Sequence, residues 1–184
     1  PPCDTRMGID SARHMYINNC SHSFTHLAST VLPAYMEQLW SAMEKPVPAS
    51  LFTVPGNGPA SIARSLGRES DFSGSYVFIE NGTPIYVGIS RRVLARLRQH
   101  FTGKTHFDAS LVYAMAQRQR QTQGKRSEVM NIPEFKEVFT AMQGNLRLVK
   151  VSFVQIENPL ELYLFEAFAA IELSTHEWNT FRTH

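Results

Sequence analysis

The chain has only two cysteines in 184 residues, Cys3 and Cys20. Two thiols near one end make no disulfide framework, so both are expected to be free in a reducing compartment. No apolar run approaches the roughly 18 residues that a membrane span needs. No basic segment followed by an apolar stretch opens the chain. These absences argue against a membrane protein and a secreted disulfide scaffold, and predict a soluble, cytoplasmic chain with no membrane partner. No internal repeat is present, which sets solenoids aside. The sequence begins Pro-Pro, and the pair His14-Met15 looks like a cloning junction, so residues 1–14 are read as a vector remnant outside the fold. What remains, with 43% hydrophobic residues overall, suffices for one domain with a proper core.

The net charge of +2 conceals an uneven distribution. Residues 91–150 carry twelve Lys and Arg against four Asp and Glu, while the segments on either side are net acidic. A third of the chain thus holds the excess of positive charge, as a face that tracks a phosphate backbone would. Solvated helix faces give the same count, so charge alone leaves both readings open.

Hydrophobic spacing organises the rest. Over residues 31–45, Val31, Leu32, Tyr35, Met36, Leu39, Trp40 and Met43 form one apolar stripe of a helix. Its Leu39–Trp40 side is expected to pack on the core, because a lone helix of that length is marginal in water. Residues 46–59 are rich in Pro and Gly and read as a connector, with a short helix in SIARSL after it. The segments SYVFIE and PIYVGI flank the turn Asn81-Gly82-Thr83 and predict a β-hairpin, since Asn-Gly tolerates the positive φ angles of a tight turn. Ser90 is placed as the cap of a helix with Val93, Leu94, Leu97 and Phe101 on its apolar face, and Asp108 as the cap of the next. The polar stretch 121–131 reads as a mobile loop. Pro133 opens a helix that Gly144 is expected to end. LRLVKVSFVQI suits a strand covered on both faces, and ELYLFEAFAAIEL a final long helix. The order hairpin, helices, strand, helix predicts an α/β (α+β) fold, a small three-stranded antiparallel sheet flanked by helices. Residues 15–70 form a helical arm and connector packed on a core of residues 71–184.

Arg96 and His100 stand one helical turn apart, directly after the strand that carries Tyr86, so Tyr76, Tyr86, Arg96 and His100 can converge at one edge of the hairpin. Glu166 sits in LYLFEAFAAI, where a carboxylate needs a partner or a cation. Glu161, Glu172 and Glu177 are read as solvated charges. Tyrosine, guanidinium, imidazole and one carboxylate suit phosphodiester hydrolysis, supplying a base, a charge stabiliser and a ligand for a hard metal. Each residue also has an ordinary structural reading, as a strand aromatic, a solvated helix face, a salt-bridge partner or a helix-end cap. Cys20, His22 and His26, with His14 nearby, suggest zinc but lack a second paired-ligand motif.

The constellation resembles the GIY-YIG nucleases. The family's two tripeptides appear as Gly74-Ser75-Tyr76 and Tyr86-Val87-Gly88; the arginine follows the second glycine by eight positions as Arg96, and the histidine comes four later as His100. The family's metal-binding glutamate and a later asparagine match Glu166 and Asn179, thirteen apart. Ser75 replaces the isoleucine of the first tripeptide, and Ile89 stands where relatives often have lysine. The resemblance implies a DNA endonuclease dependent on Mg²⁺ or Mn²⁺, leaving 5′-phosphate and 3′-hydroxyl ends. In it Tyr76 is the general base, Tyr86 and His100 tune the proton network, Arg96 stabilises charge on phosphorus, Glu166 holds the metal, and Asn179 fixes the glutamate or the phosphate backbone. Arg91, Arg92, Lys104, Arg118, Arg120, Lys125 and Arg126 are the expected DNA-contacting residues. The role is open between restriction, repair or recombination, and DNA degradation, and the assembly between monomer and homodimer. The competing reading is a nucleic-acid-binding module of the same fold without catalytic activity.

Overall fold

The computed structural model describes residues 17–181. Residues 1–14, and with them Cys3 and His14, lie outside that range. One antiparallel sheet in the order β1-β4-β2-β3 forms the centre. It is built from β1 (Val47–Pro48), β2 (Gly74–Glu80), β3 (Thr83–Ser90) and β4 (Lys150–Gln155). The helices are α1 (Phe24–His26), α2 (Leu32–Met43), α3 (Pro59–Ser65), α4 (Val93–Thr102), α5 (Ser110–Arg120), α6 (Arg126–Val129), α7 (Pro133–Leu146) and α8 (Pro159–Glu172).

Side-chain alternation along the strands divides the core in two. Tyr76, Phe78 and Val151 face α3, α4, α5 and α7. Val77, Ile79, Val87 and Val154 face the other way, onto Met36 and Leu39 of α2 and onto Leu162 and Phe165 of α8. The helix before the connector is therefore one of the two layers of the second core. Its buried side is Leu32, Met36 and Leu39, whereas Trp40 is exposed, so only half of the expected Leu39–Trp40 face packs.

The hairpin follows from its turn. Asn81 at φ 50° and Gly82 at φ 83° make the two-residue connection, and the strands pair from Gly74↔Ser90 to Glu80↔Thr83 with a bulge between Phe78 and Ile79.

Five local expectations are corrected. The sheet has four strands rather than three, because Val47 and Pro48 pair with Val151 and Lys150. The supposed connector is structured: Ala49 and Phe52, in a short 3-10 turn (Ala49–Phe52), are fully buried against the first core. The polar loop 121–131 contains α6, anchored by buried Val129. Helix α7 runs through Gly144 to Leu146. The caps of α4 and α5 are not the predicted ones. Ser90 Oγ accepts only from Arg92 N (3.0 Å), while Asp71 Oδ1 accepts from Leu94 N (2.8 Å) and Oδ2 from Ala95 N (3.1 Å). Asp108 turns to Thr105 Oγ1 (2.7 Å), and α5 has no side-chain cap.

Candidate active site

The hairpin brings the two tyrosines to one face. Tyr76 pairs across the strands with Gly88, and Phe78 with Tyr86. A side chain on Gly88 would strike the Tyr76 ring and its hydroxyl oxygen, so glycine is what lets the phenol lie flat across β3. Gly74 has a similar cause, since a Cβ there would strike the Val154 carbonyl of β4. Ser75, on the opposite face from Tyr76, donates to Gly88 O at 3.1 Å and is fully buried, so the hydroxyl replaces apolar packing with a cross-strand hydrogen bond.

Helix α4 supplies Arg96 and His100. It starts where Phe72 O accepts from Val93 N (2.9 Å) and Asp71 satisfies the next two amides, with Arg92 3.8 Å from the same carboxylate. At the far end, side chains of α7 and of the residue after it satisfy carbonyls at the end of α4: Gln143 Nε2 donates to His100 O (3.3 Å) and Gly103 O (2.8 Å), and Arg147 Nε to Phe101 O (2.8 Å). Asp71, Gln143 and Arg147 thus fix the helix that bears two of the candidate residues. Sequence reading missed them. Gln143 had one signal, a polar residue four positions after Phe139 on the buried side of α7.

Tyr76 Oη and His100 Nε2 are 2.7 Å apart, and both side chains are essentially sealed, with Tyr76 1% exposed. The imidazole stands edge-on to Tyr76 (5.7 Å between centroids), Phe78 (5.3 Å) and Tyr86 (6.0 Å). His100 Nδ1 is buried without a partner. Burial and then the Arg96 charge hold the His100 pKa well below the ordinary imidazole value, so the ring is neutral. Burial pushes the Tyr76 phenol well above 10, helped by Tyr86 and Glu166 and opposed by Arg96. Tyr86 rises to about 12 for the same first reason, with Glu166 adding and Arg96 opposing. Arg96 thus works in the sense in which a lysine at position 89 would work, and burial outweighs it.

Arg96 is fastened by the loop after α4 and by the first residue of α5. Nη1 donates to Asp108 O (2.8 Å) and Nη2 to Ser110 Oγ (3.0 Å), with Phe107 O 3.4 Å from Nη1. Glu166 projects from α8, which packs on β3 and β2. It is half-buried, with no hydrogen bond or ion pair among the described residues, and desolvation raises its pKa. Its charge acts on both tyrosines, so it belongs to the same site electrostatically.

Asn179 is brought to β3 in another way. Its Oδ1 accepts from Val87 N (2.9 Å) and its Nδ2 donates to Val87 O (2.7 Å). It occupies both free backbone groups of the edge strand between Tyr86 and Gly88. That contact ties the chain after α8 to the hairpin, and makes Asn179 a clamp on the strand.

The basic residues are not equivalent. Arg118 pairs with Glu177 (2.7 Å) and lies over the Trp178 ring (5.2 Å), Arg126 lies over Tyr113 (5.5 Å), and Lys125 is 3.8 Å from Glu128. Arg91, Lys104 and Arg120 have no ion pair among the described residues and are exposed. Glu161, expected to be solvated, is instead buried: Tyr35 Oη donates to its Oε2 (2.8 Å), Cys20 Sγ lies 3.7 Å and His22 Nε2 3.9 Å from its Oε1. Glu177 is tied to Arg118. Among the described residues no group of three or more His, Cys, Asp and Glu side chains is arranged to hold a metal ion. No helix there is long and apolar enough to cross a membrane.

Compared with models of known protein families, with characterised proteins and with solved structures, the chain matches none.

Proposed function

We propose that the chain is a divalent-metal-dependent DNA endonuclease that hydrolyses phosphodiester bonds to 5′-phosphate and 3′-hydroxyl ends. The observation that carries the reading is the 2.7 Å contact between Tyr76 Oη and a neutral His100, with Arg96 one turn before the histidine and an unpaired, half-buried Glu166 acting on both tyrosines.

A single carboxylate fits Mg²⁺, which keeps several waters and takes one or two carboxylates together with substrate phosphate oxygens. Mn²⁺ meets the same requirement, and Glu166 is the residue to hold either. When bound, the ion supplies positive charge to the leaving 3′ oxygen.

The chain's own residues do the rest. A phenol held above its ordinary pKa is a poor base alone. The Tyr76–His100 contact offers a relay: the phenolic oxygen takes the proton of the attacking water while its own proton moves to Nε2. Tyr86, the more exposed phenol, lies beside this pair, its ring 6.3 Å from that of Tyr76 and 6.0 Å from that of His100. Arg96 binds the non-bridging phosphate oxygens through the donors its loop contacts leave free. Binding also offsets the guanidinium charge, the second cause of the low His100 pKa. Substrate therefore improves the base that its hydrolysis needs.

The test is nicking of supercoiled plasmid by the full chain with Mg²⁺ or Mn²⁺ and with EDTA. Metal-dependent conversion to open circles with ligatable ends supports the reading, and intact plasmid under all conditions contradicts it. Product patterns on linear, supercoiled and branched DNA separate restriction, repair and degradative roles. One site cuts one strand, so concerted double-strand cuts mean a homodimer.

A further inference from the structure

The loop between α4 and α5 is tightly built for its length. Gly103 N donates to Gln99 O (2.8 Å), and Gly103 O accepts from Gln143 Nε2 (2.8 Å). Thr105 Oγ1 bonds Asp108 Oδ2 (2.7 Å) and accepts from Asp108 N (3.2 Å), while Ala109 N donates to Thr105 O (3.0 Å). A Cβ at Gly103 would strike the Asp108 side chain, so the loop closes on itself with no room to spare. Arg96 then pins it through Asp108 O and Phe107 O.

This rigid frame holds Phe107 outward, 77% exposed. One isolated exposed phenylalanine is ordinary. Two facts distinguish this one. Its own carbonyl lies 3.4 Å from Arg96 Nη1, so the backbone that carries the ring adjoins the group assigned to the phosphate. The His106 ring also lies 4.0 Å from it and 5.9 Å from Tyr113, a short aromatic ladder rising from the core. Exposed Lys104 flanks it.

We infer that Phe107 is a stacking platform for a nucleobase of the bound strand, next to the phosphate that Arg96 holds. Any base has a π-face, so the contact adds affinity with little sequence preference, and it favours DNA whose bases are unstacked beside the cut. The inference rests on the endonuclease reading for its substrate. It adds a binding residue that the tyrosine, arginine, histidine and glutamate set does not contain.

The test is a cycle between protein and DNA, with the full chain in EDTA to suppress hydrolysis. Affinities are measured by anisotropy for a labelled single strand and for the same strand with an abasic site moved stepwise along it, using the unaltered protein, Phe107→Ala and Phe107→Trp. Phe107→Ala is expected to weaken binding by roughly 5- to 150-fold, Phe107→Trp to preserve it, and one abasic position to cost the unaltered protein the same factor while costing Phe107→Ala nothing further. Melting temperatures of all three should agree within about 2 °C, since an exposed ring supports little of the fold. Equal affinity of Phe107→Ala and the unaltered protein overturns the inference, as does an abasic penalty that persists in Phe107→Ala. Plasmid nicking is read separately. Nicking without coupling sinks the stacking contact alone, coupling without nicking sinks the endonuclease reading alone, and no nicking together with no binding to any strand sinks both.

Discussion

Gly88 lies under the phenol of Tyr76, its cross-strand partner, at a distance that leaves no room for a methyl group. The glycine of the second tripeptide is thus a condition for the Tyr76–His100 contact, since any side chain there pushes the hydroxyl away from Nε2. Gly88→Ala is expected to lower nicking by about 100-fold, the scale on which a 1 Å misplacement acts, and to cost about 1–3 kcal/mol of stability from overpacking. Parallel nicking rates and denaturant midpoints check both. Wild-type nicking by Gly88→Ala would show that the hydroxyl position is immaterial.

Asp71 caps the helix of Arg96 and His100 from outside that helix's own sequence. Asp71→Ala leaves Leu94 N and Ala95 N without their acceptors, and the expected loss is about 1–2 kcal/mol by urea denaturation. Ser90→Ala, which removes only the hydrogen bond to Arg92 N, should cost less. Equal destabilisation would return the capping role to Ser90.

Much of the site was legible because its determinants are local. Asn81-Gly82 fixes the hairpin register, the register sets Tyr76 opposite Gly88, and four residues along a helix align Arg96 with His100. The rest depends on contacts across long stretches of chain. Asp71 reaches forward to α4, and Gln143 of α7 and Arg147 just after it reach back to its end. Two residues of β1 join the sheet only because β4 is there to pair with them. The burial of Glu161 required Tyr35, more than a hundred positions away, and Asn179 gave no sign in sequence that both its amide atoms would be used by Val87.

The depressed pKa of His100 makes stability depend on pH. Below its ordinary value of 6.5 the unfolded chain takes up a proton that the folded chain resists, so stability falls as pH drops, with a slope approaching about 1.4 kcal/mol per pH unit for one group. Glu166, whose pKa is raised, acts in the opposite sense, its stabilisation disappearing as pH rises through its folded value. Comparing the unaltered protein with His100→Gln between pH 7.5 and 5.5 cancels that contribution. The variant should lose less stability across the interval. Parallel declines would mean that His100 is not held neutral.

Lys104 and Arg120 are exposed and, among the described residues, have no ion pair, whereas Arg118 is held by Glu177. Lys104→Gln with Arg120→Gln should flatten the salt dependence of DNA binding by about 0.9 in logarithmic slope for each phosphate that is no longer neutralised. Arg118→Gln should change it less. An unchanged slope in the double variant would remove both residues from the DNA track.

The most direct measurement concerns Glu166, tested by Glu166→Gln in paired assays on the same preparations: nicking rate against Mg²⁺ concentration, and melting temperature in EDTA. The substitution keeps the volume and removes a desolvated charge that has no cationic partner among the described residues. The account predicts that nicking falls by orders of magnitude, that DNA is still bound, and that the melting temperature at neutral pH is unchanged or higher. Retained nicking by well-folded Glu166→Gln protein would contradict the metal-holding role. Abolished nicking together with a drop of about 3 kcal/mol in stability, the mark of a broken buried ion pair, would contradict it equally.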